Sequence, residues 1–226
     1  MKPAVDEVIY SQRKTISIEV QADGKVVMRV PRRTSQARIQ QVAAEKAEWI
    51  RHTKEKIQAR QQARPSIRFE EGANLPLFGR WYPLTLRQQT PTRFGFSAGQ
   101  GFWLRRDQVG QARKLLVEYY REATRAQTSR LALDFCRRWQ LSFGEIRVTS
   151  AVTRWGSCSQ KNNLSFTYRL ALLPLDLVEY VTAHELAHTR HHNHGPEFWK
   201  LVARMTPDYQ LRRKKLKDLA ALLPEI

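Results

Sequence analysis

Residues 174–199 read PLDLVEYVTAHELAHTRHHNHGPEFW. Pro174 suits the first turn of a helix, and Asp176 favours the positive end of the helix dipole. The apolar side chains that follow recur at helical spacing. We therefore predict a helix that begins at Pro174 and continues to about His192.

Two histidines on this helix have the spacing of metal ligands. His184 and His188 are four residues apart, so both rings project from one face, and Leu177 and Val181 continue that face as an apolar stripe. Buried ring nitrogens need partners, and one Zn²⁺ can satisfy both of them. Glu185 lies one position round the helix, where it can accept a proton from a water that the metal activates, without being a ligand itself.

A catalytic zinc usually takes three protein ligands, and the candidates after the helix motif are His191, His192 and His194. In a continuing helix, His192 would lie about 12 Å along the axis from His184, too far to share one ion easily. His191 has nearly the same difficulty. A helix-ending Asn193 followed by a Gly-Pro pair lets the chain turn back. We expect His194 to be the third ligand, and the other two to be solvated or supporting groups.

The N-terminal part of the chain has the pattern of strands around one helix. Alternating segments at 15–20 and 26–30 flank Ala22-Asp23-Gly24-Lys25, which predicts a hairpin. Ser35 is placed to cap a helix that runs to about Arg64. Further strands are expected between residues 75 and 104.

The remaining segments predict a mixture of helices and strands. We expect a helix over 108–139, strands at 145–152 and 164–172, and helices after Gly195 and after Pro207. A boundary near residue 106 would give two parts, a strand-rich region over 1–106 and a hydrolase core over 107–226. The predicted fold class is α+β.

Composition restricts the class of protein. The chain has 226 residues, a formal net charge of +18 and only two cysteines, so a disulfide framework is not supported. It contains no apolar run of membrane-spanning length and no signal-peptide core, and we expect a cytoplasmic protein with no membrane partner. The charge fits a nucleic acid or an anionic nucleotide as partner, or simply a solvated basic surface.

Four segments in order along the chain carry a resemblance. They are RWGSC at 154–158, LSFTYRL at 164–170, HELAH at 184–188 and NHGPEFW at 193–199. The sequence resembles the YgjP-like metal-dependent hydrolases, which are related to the WLM and SprT-like zinc metallopeptidases. That resemblance implies a zincin-like core with two histidines and the general base on one helix, and a third histidine, matching His194, just after it.

Several marked residues keep two interpretations. The strand at 164–172 is either an edge that pairs with an extended peptide substrate or an ordinary core strand. Cys158 is expected to be a buried, inert thiol, because the nearby histidines are committed to metal. Arg154 and Arg169 either stabilise an oxyanion or bind an anionic substrate, or, as we expect, serve structural roles.

The function that the sequence favours is zinc-dependent hydrolysis of peptide bonds, with Glu185 as general base. One alternative is hydrolysis of a nucleoside triphosphate, for which a basic protein with arginines near its metal is suited. Another is a basic nucleic-acid-associated module with a vestigial metal site. The intact set of three histidines and one glutamate argues against the last.

Overall fold

The computed structural model describes residues 5–21, 23–62 and 65–226, and the chain divides into two compact units, Met1–Arg64 and Pro65–Ile226. This division differs from the boundary expected near residue 106. The difference has a physical cause. The strands that precede residue 106 share one apolar core with the helices that follow it, so no break in packing exists at that point.

The first unit contains the predicted hairpin. Strand β2 (Ser17–Val20) pairs antiparallel with β3 (Val26–Pro31), and Gly24 in the turn has a φ of +85°. Ala22 lies outside the described residues. An additional strand, β1 (Glu7–Ser11), pairs in parallel with β3, so the order is β1-β3-β2.

The long helix expected after Ser35 is present as two helices. Ser35 caps α1 (Gln36–Glu45) by accepting a hydrogen bond from the Arg38 amide, as predicted. Lys46 then leaves the helical conformation, and α2 (Ala47–Gln62) begins. The expected end near residue 64 falls on 63–64, outside the described residues.

The second unit begins with the strands expected between residues 75 and 104. They are β4 (Asn74–Leu77), β5 (Arg80–Arg87), β6 (Phe94–Ser97) and β7 (Gly101–Arg105), in the order β4-β5-β7-β6. A short 3-10 helix (Arg106–Gln111) leads into α3 (Ala112–Trp139), the long helix predicted over 108–139.

A second sheet of this unit decides between the two interpretations of the strand expected at 164–172. It contains β8 (Ile146–Thr149), β9 (Gly156–Cys158) and β10 (Leu164–Thr167), in the order β8-β10-β9. The segment 164–172 is therefore the central strand and then a 3-10 helix (Tyr168–Leu172), not an edge strand. The two edges are β8 and β9, and the three residues of β9 are too few to show an alternating pattern.

Three helices complete the chain. They are α4 (Leu175–Ala187), α5 (Pro196–Met205) and α6 (Tyr209–Ala220). Helix α4 packs against α3, α5 and α6, and Leu177 and Val181 on its predicted stripe are buried. Within the described residues the fold is α+β, as predicted, with three small sheets and six helices. Among those helices, none has the combination of length and apolar character that a membrane crossing needs.

Candidate metal centre

Helix α4 ends earlier than its sequence pattern indicates, and this ending shapes the site. The last helical residue is Ala187, not a residue near His192, and His188 is the C-cap. The Thr189 hydroxyl donates to the Leu186 carbonyl at 2.8 Å, and the Thr189 amide bonds to the same carbonyl at 3.0 Å. These local bonds replace the helical pattern, and the helix ends five residues before the predicted point.

The turn fixes the orientation of the His188 ring. Its Nδ1 lies 3.1 Å from the carbonyl oxygen of His191. A carbonyl only accepts, so Nδ1 carries the proton and Nε2 keeps its lone pair. Metal-binding histidines commonly have this arrangement, in which a backbone carbonyl fixes the tautomer from behind. His191 therefore supports His188 through its backbone, the kind of supporting role expected for it.

The segment after the turn brings His194 back to α4. Nε2 of His194 lies 3.1 Å from Nε2 of His184, and the ligand atoms of His184, His188 and His194 all lie within 4.8 Å of one another. Gly195 then caps α5, and Pro196 occupies its first turn. The three histidines that the sequence selected thus converge on one point, and the exposed His192 is a neighbour of His188 but not a member of this group.

Two aromatic residues of α5 hold the three rings in place. The fully buried Phe198 stacks on His188 with ring centroids 4.4 Å apart, and contacts His184 and His194 edge-on. Trp199 stacks on His194 at 5.7 Å. Sequence reasoning assigned no role to either aromatic. Their positions in the sequence could have indicated a role, because they follow His194 by about one turn of a helix.

Burial favours the neutral form of His184 and His188. It lowers the pKa of His184 to about 3, and the neighbouring His188 and His194 add to that effect. Burial also lowers the pKa of His188. Neutral imidazole is the form that binds a metal ion.

The donor set fits a metal ion. Nδ1 of His184 is buried with no hydrogen-bond partner among the described residues, and its Nε2 faces another imidazole instead of an acid. Two neutral rings in this position can exchange at most one hydrogen bond. A cation bound between the Nε2 atoms of His184 and His194 would take the lone pairs that these two atoms otherwise direct at each other.

Glu185 lies beside the histidines in a nearly dry environment. Its side chain belongs to a residue that is only 7% exposed, and burial raises the pKa of the carboxyl to about 7, although Arg154 opposes the shift. Gly156 on β9 makes this placement possible. A Cβ atom at Gly156 would come within 2.6 Å of Cγ of Glu185.

These groups open onto one cavity of about 660 Å³. Its lining includes His184, Glu185 and His194. Two arginines, Arg154 and Arg213, also line it. The cavity therefore combines ring nitrogens, one carboxyl group and cationic side chains around the space in which a substrate would bind.

The other marked residues are placed at or near this cavity. Burial, together with Glu185, raises the pKa of the partly buried Cys158 thiol to about 11, which fits an inert thiol. Arg169 donates to the Val152 carbonyl at 3.1 Å and packs over Trp155, a structural role as expected. Arg154 differs, because it lines the cavity.

Comparison with known proteins identifies the family of the chain. A family model described as YgjP-like, metallopeptidase domain, matches residues 14–219. Among solved structures, the metallopeptidase zymogen of Methanocaldococcus jannaschii jannalysin is similar at 17% identity and a TM-score of 0.36, over 40% of this chain and 94% of that one. No curated protein matches. On the family match, which covers most of its length, the chain belongs to the YgjP-like family of metallopeptidase domains and is a metal-dependent hydrolase.

Proposed function

We propose that the protein is a zinc metallopeptidase in which His184, His188 and His194 hold the ion and Glu185 is the general base. The observation that carries this proposal is the convergence of three imidazole ligand atoms within 4.8 Å beside a buried carboxyl group. Three nitrogen ligands with one position left open is the donor set of catalytic zinc. A zinc ion bound by these three histidines would supply Lewis-acid chemistry, which would acidify a water and polarise the carbonyl of the substrate.

The protein's own side chains have separate parts in this reaction. His188 is fixed by the His191 carbonyl behind it, and His194 is fixed by Trp199, so two ligands are oriented before an ion binds. Glu185 is adjacent to His184 on α4 and lines the same cavity, where its carboxylate can accept a proton from the attacking water and pass it to the leaving amine.

A peptide is the substrate that the family membership favours, and the geometry is compatible with it. The edge strand β9 pairs with β10 on one side, and its Gly156 lies against Glu185. An extended peptide can add to such an edge through backbone hydrogen bonds, which need no particular side chain. The carbonyl of the peptide would then lie near the general base.

One parallel screen tests the proposal. The zinc-loaded protein is assayed against unfolded proteins, a peptide mixture and nucleoside triphosphates, beside Glu185→Gln. We expect peptide cleavage that falls about 10²- to 10⁴-fold in Glu185→Gln while the zinc content stays at one per chain. Glu197→Gln is the matched control, because Glu197 is exposed on α5 and its salt bridge is to Lys200.

Two outcomes would contradict the proposal. Cleavage that persists in zinc-loaded Glu185→Gln would show that another group is the base. Release of phosphate or pyrophosphate that disappears in Glu185→Gln, with no peptide cleavage, would replace the peptidase by a nucleotide hydrolase.

A further inference from the structure

Tyr180 is a buried polar side chain that the proposed reaction does not use. It lies on α4 one turn before His184, with ring centroids 6.0 Å apart, and it lines the catalytic cavity. The residue is only 4% exposed. Its hydroxyl has no hydrogen-bond partner within the described part of the chain. The hydroxyl is also absent from the buried side-chain atoms that lack a partner, so its oxygen is accessible to solvent. The phenol oxygen therefore opens onto the cavity.

Arg213 on α6 lies at the same wall of the cavity. Its guanidinium packs over the Trp199 ring at 5.2 Å, and its charge acts on both Tyr180 and His184. No acidic side chain pairs with it among the described residues. A guanidinium stacked on an aromatic face keeps its N–H edge available for a planar oxyanion.

Arg212, the neighbouring arginine on α6, has a structural role and so provides a comparison for Arg213. Arg212 bonds to Glu179 at 2.6 Å and to Asp208 at 2.8 Å, and it also donates to the Asp176 carbonyl at 2.9 Å. Its donors are committed, which ties α6 to α4. Arg213 has none of these bonds, so its charge is not needed to hold the helices together.

We propose that Tyr180 and Arg213 form a subsite that binds a carboxylate group of the substrate next to the bond that is cleaved. The hydroxyl and the guanidinium are two donors on one wall, and Arg154 adds positive charge to the same cavity. Among the described residues that line the cavity, Glu185 is the one acid, and it follows His184 directly in sequence. The carboxylate is either an Asp or Glu side chain or the terminal carboxylate of a peptide. This inference rests on the proposed peptidase function for the identity of its substrate.

The test compares peptides that differ only in charge. One series carries Glu or Gln at each position around the cleaved bond, and a second has a free or an amidated C-terminus. Affinity is measured by calorimetry with zinc-loaded Glu185→Gln, so that it does not depend on turnover, and kcat/KM is measured with the active protein. We expect the charged member to be preferred by about 10-fold or more, as for a hydrogen bond to a charged group.

Variants of the two residues then test whether Arg213 and Tyr180 cause the preference for the charged peptide. Arg213→Gln should abolish it, and Tyr180→Phe should reduce it by a few-fold, with zinc content unchanged in both. Arg204→Gln is the matched control, because Arg204 packs over Trp139 at 5.1 Å in the same way but does not line the cavity. A preference that follows amidation identifies the terminal carboxylate, and one that follows the Glu-to-Gln change identifies a side chain.

Each failure is distinguishable. If the protein cleaves peptides but shows no charge preference, or keeps it in Arg213→Gln, the subsite is wrong and the peptidase stands. If the Arg213-dependent binding preference is present without any cleavage by the active protein, the subsite stands and the peptidase is wrong.

Discussion

Phe198 is a single residue that both orients the three histidine rings and excludes water from one side of the site. Its ring contacts all three histidines, so it fills the space behind the point where their nitrogens meet. An apolar wall on that side excludes water and leaves the cavity as the open side. The histidines could be selected from sequence spacing alone, whereas the packing that orients them needs the tertiary fold.

The first prediction at this scale concerns the ligands. Zinc should bind at about one ion per chain and be lost from His184→Ala, His188→Ala and His194→Ala, because each removes one of three donors. Elemental analysis of the purified proteins measures this.

His191→Ala is the matched control for that series. His191 acts on His188 through its backbone carbonyl, which alanine retains, so zinc should stay bound. Full zinc retention in His194→Ala, or loss in His191→Ala, would assign the third ligand differently.

A second residue-scale prediction concerns Gly156→Ala. The new methyl group would collide with Cγ of Glu185 at 2.6 Å, so the carboxyl group must move away from its place beside the histidines. We expect peptide cleavage to fall by about 10²-fold or more with zinc retained, since a displaced base cannot reach the water.

Gly195→Ala provides the comparison for Gly156→Ala, because a Cβ atom at Gly195 meets nothing within 4 Å although it adjoins His194. Its activity should change little. Equal losses in the two variants would show that any added methyl group near the site is harmful and that Gly156 has no particular role.

Among the helices and strands, those with a long hydrophobic periodicity are predicted correctly from the sequence, whereas those that local hydrogen bonds end early are not. The helix α3 and the stripe of Leu177 and Val181 are long periodic patterns, and both are present. At the end of α4, the hydroxyl and the amide of Thr189 both bond to the Leu186 carbonyl, and no periodicity in the sequence reveals these local bonds. Strand β9 is too short for an alternating pattern, so its place at the edge next to Glu185 comes only from the sheet order.

An element-scale prediction follows from the start of α4. The turn between β4 and β5 contains Gly79, with a φ of +79°, and a Cβ atom there would come within 2.8 Å of Pro174, which caps α4. Gly79→Ala combines backbone strain with a collision against a rigid ring. We expect it to lower the free energy of unfolding by about 1–3 kcal/mol, measured by chemical denaturation.

Gly99→Ala is the corresponding control, because Gly99 lies in the turn between β6 and β7 with open space around it. It should change stability by less than about 0.5 kcal/mol. Similar losses of stability in both variants would mean that the two turn glycines of the sheet contribute equally. Gly79 would then have no particular role in positioning α4.

At the scale of the whole molecule, the charge of +18 is the property least explained by a metal centre. It is distributed through the sequence, with +11 in residues 1–106 and +7 in the remainder. Trp49 and Trp81 are 48% and 46% exposed. Basic side chains with exposed aromatics suit a polyanion such as nucleic acid, and this stays a prediction.

The basic groove of the first unit makes that prediction specific. Lys14, Arg33 and Arg38 line a groove of about 680 Å³, and none pairs with an acid among the described residues. We expect sequence-independent binding to double-stranded DNA through its phosphates. With about four phosphate contacts, affinity should fall roughly 100-fold between about 50 and 200 mM salt.

Replacing Lys14, Arg33 and Arg38 by Gln should lower the slope of log affinity against log salt by up to about 3. The matched control replaces Lys25 and Arg29, whose charges are already paired with Glu7 and Glu19, and should leave most of the slope intact. Fluorescence anisotropy with a labelled duplex measures all three proteins. Absence of binding at about 50 mM salt would exclude nucleic acid as the partner, and the charge would then be a solvated surface.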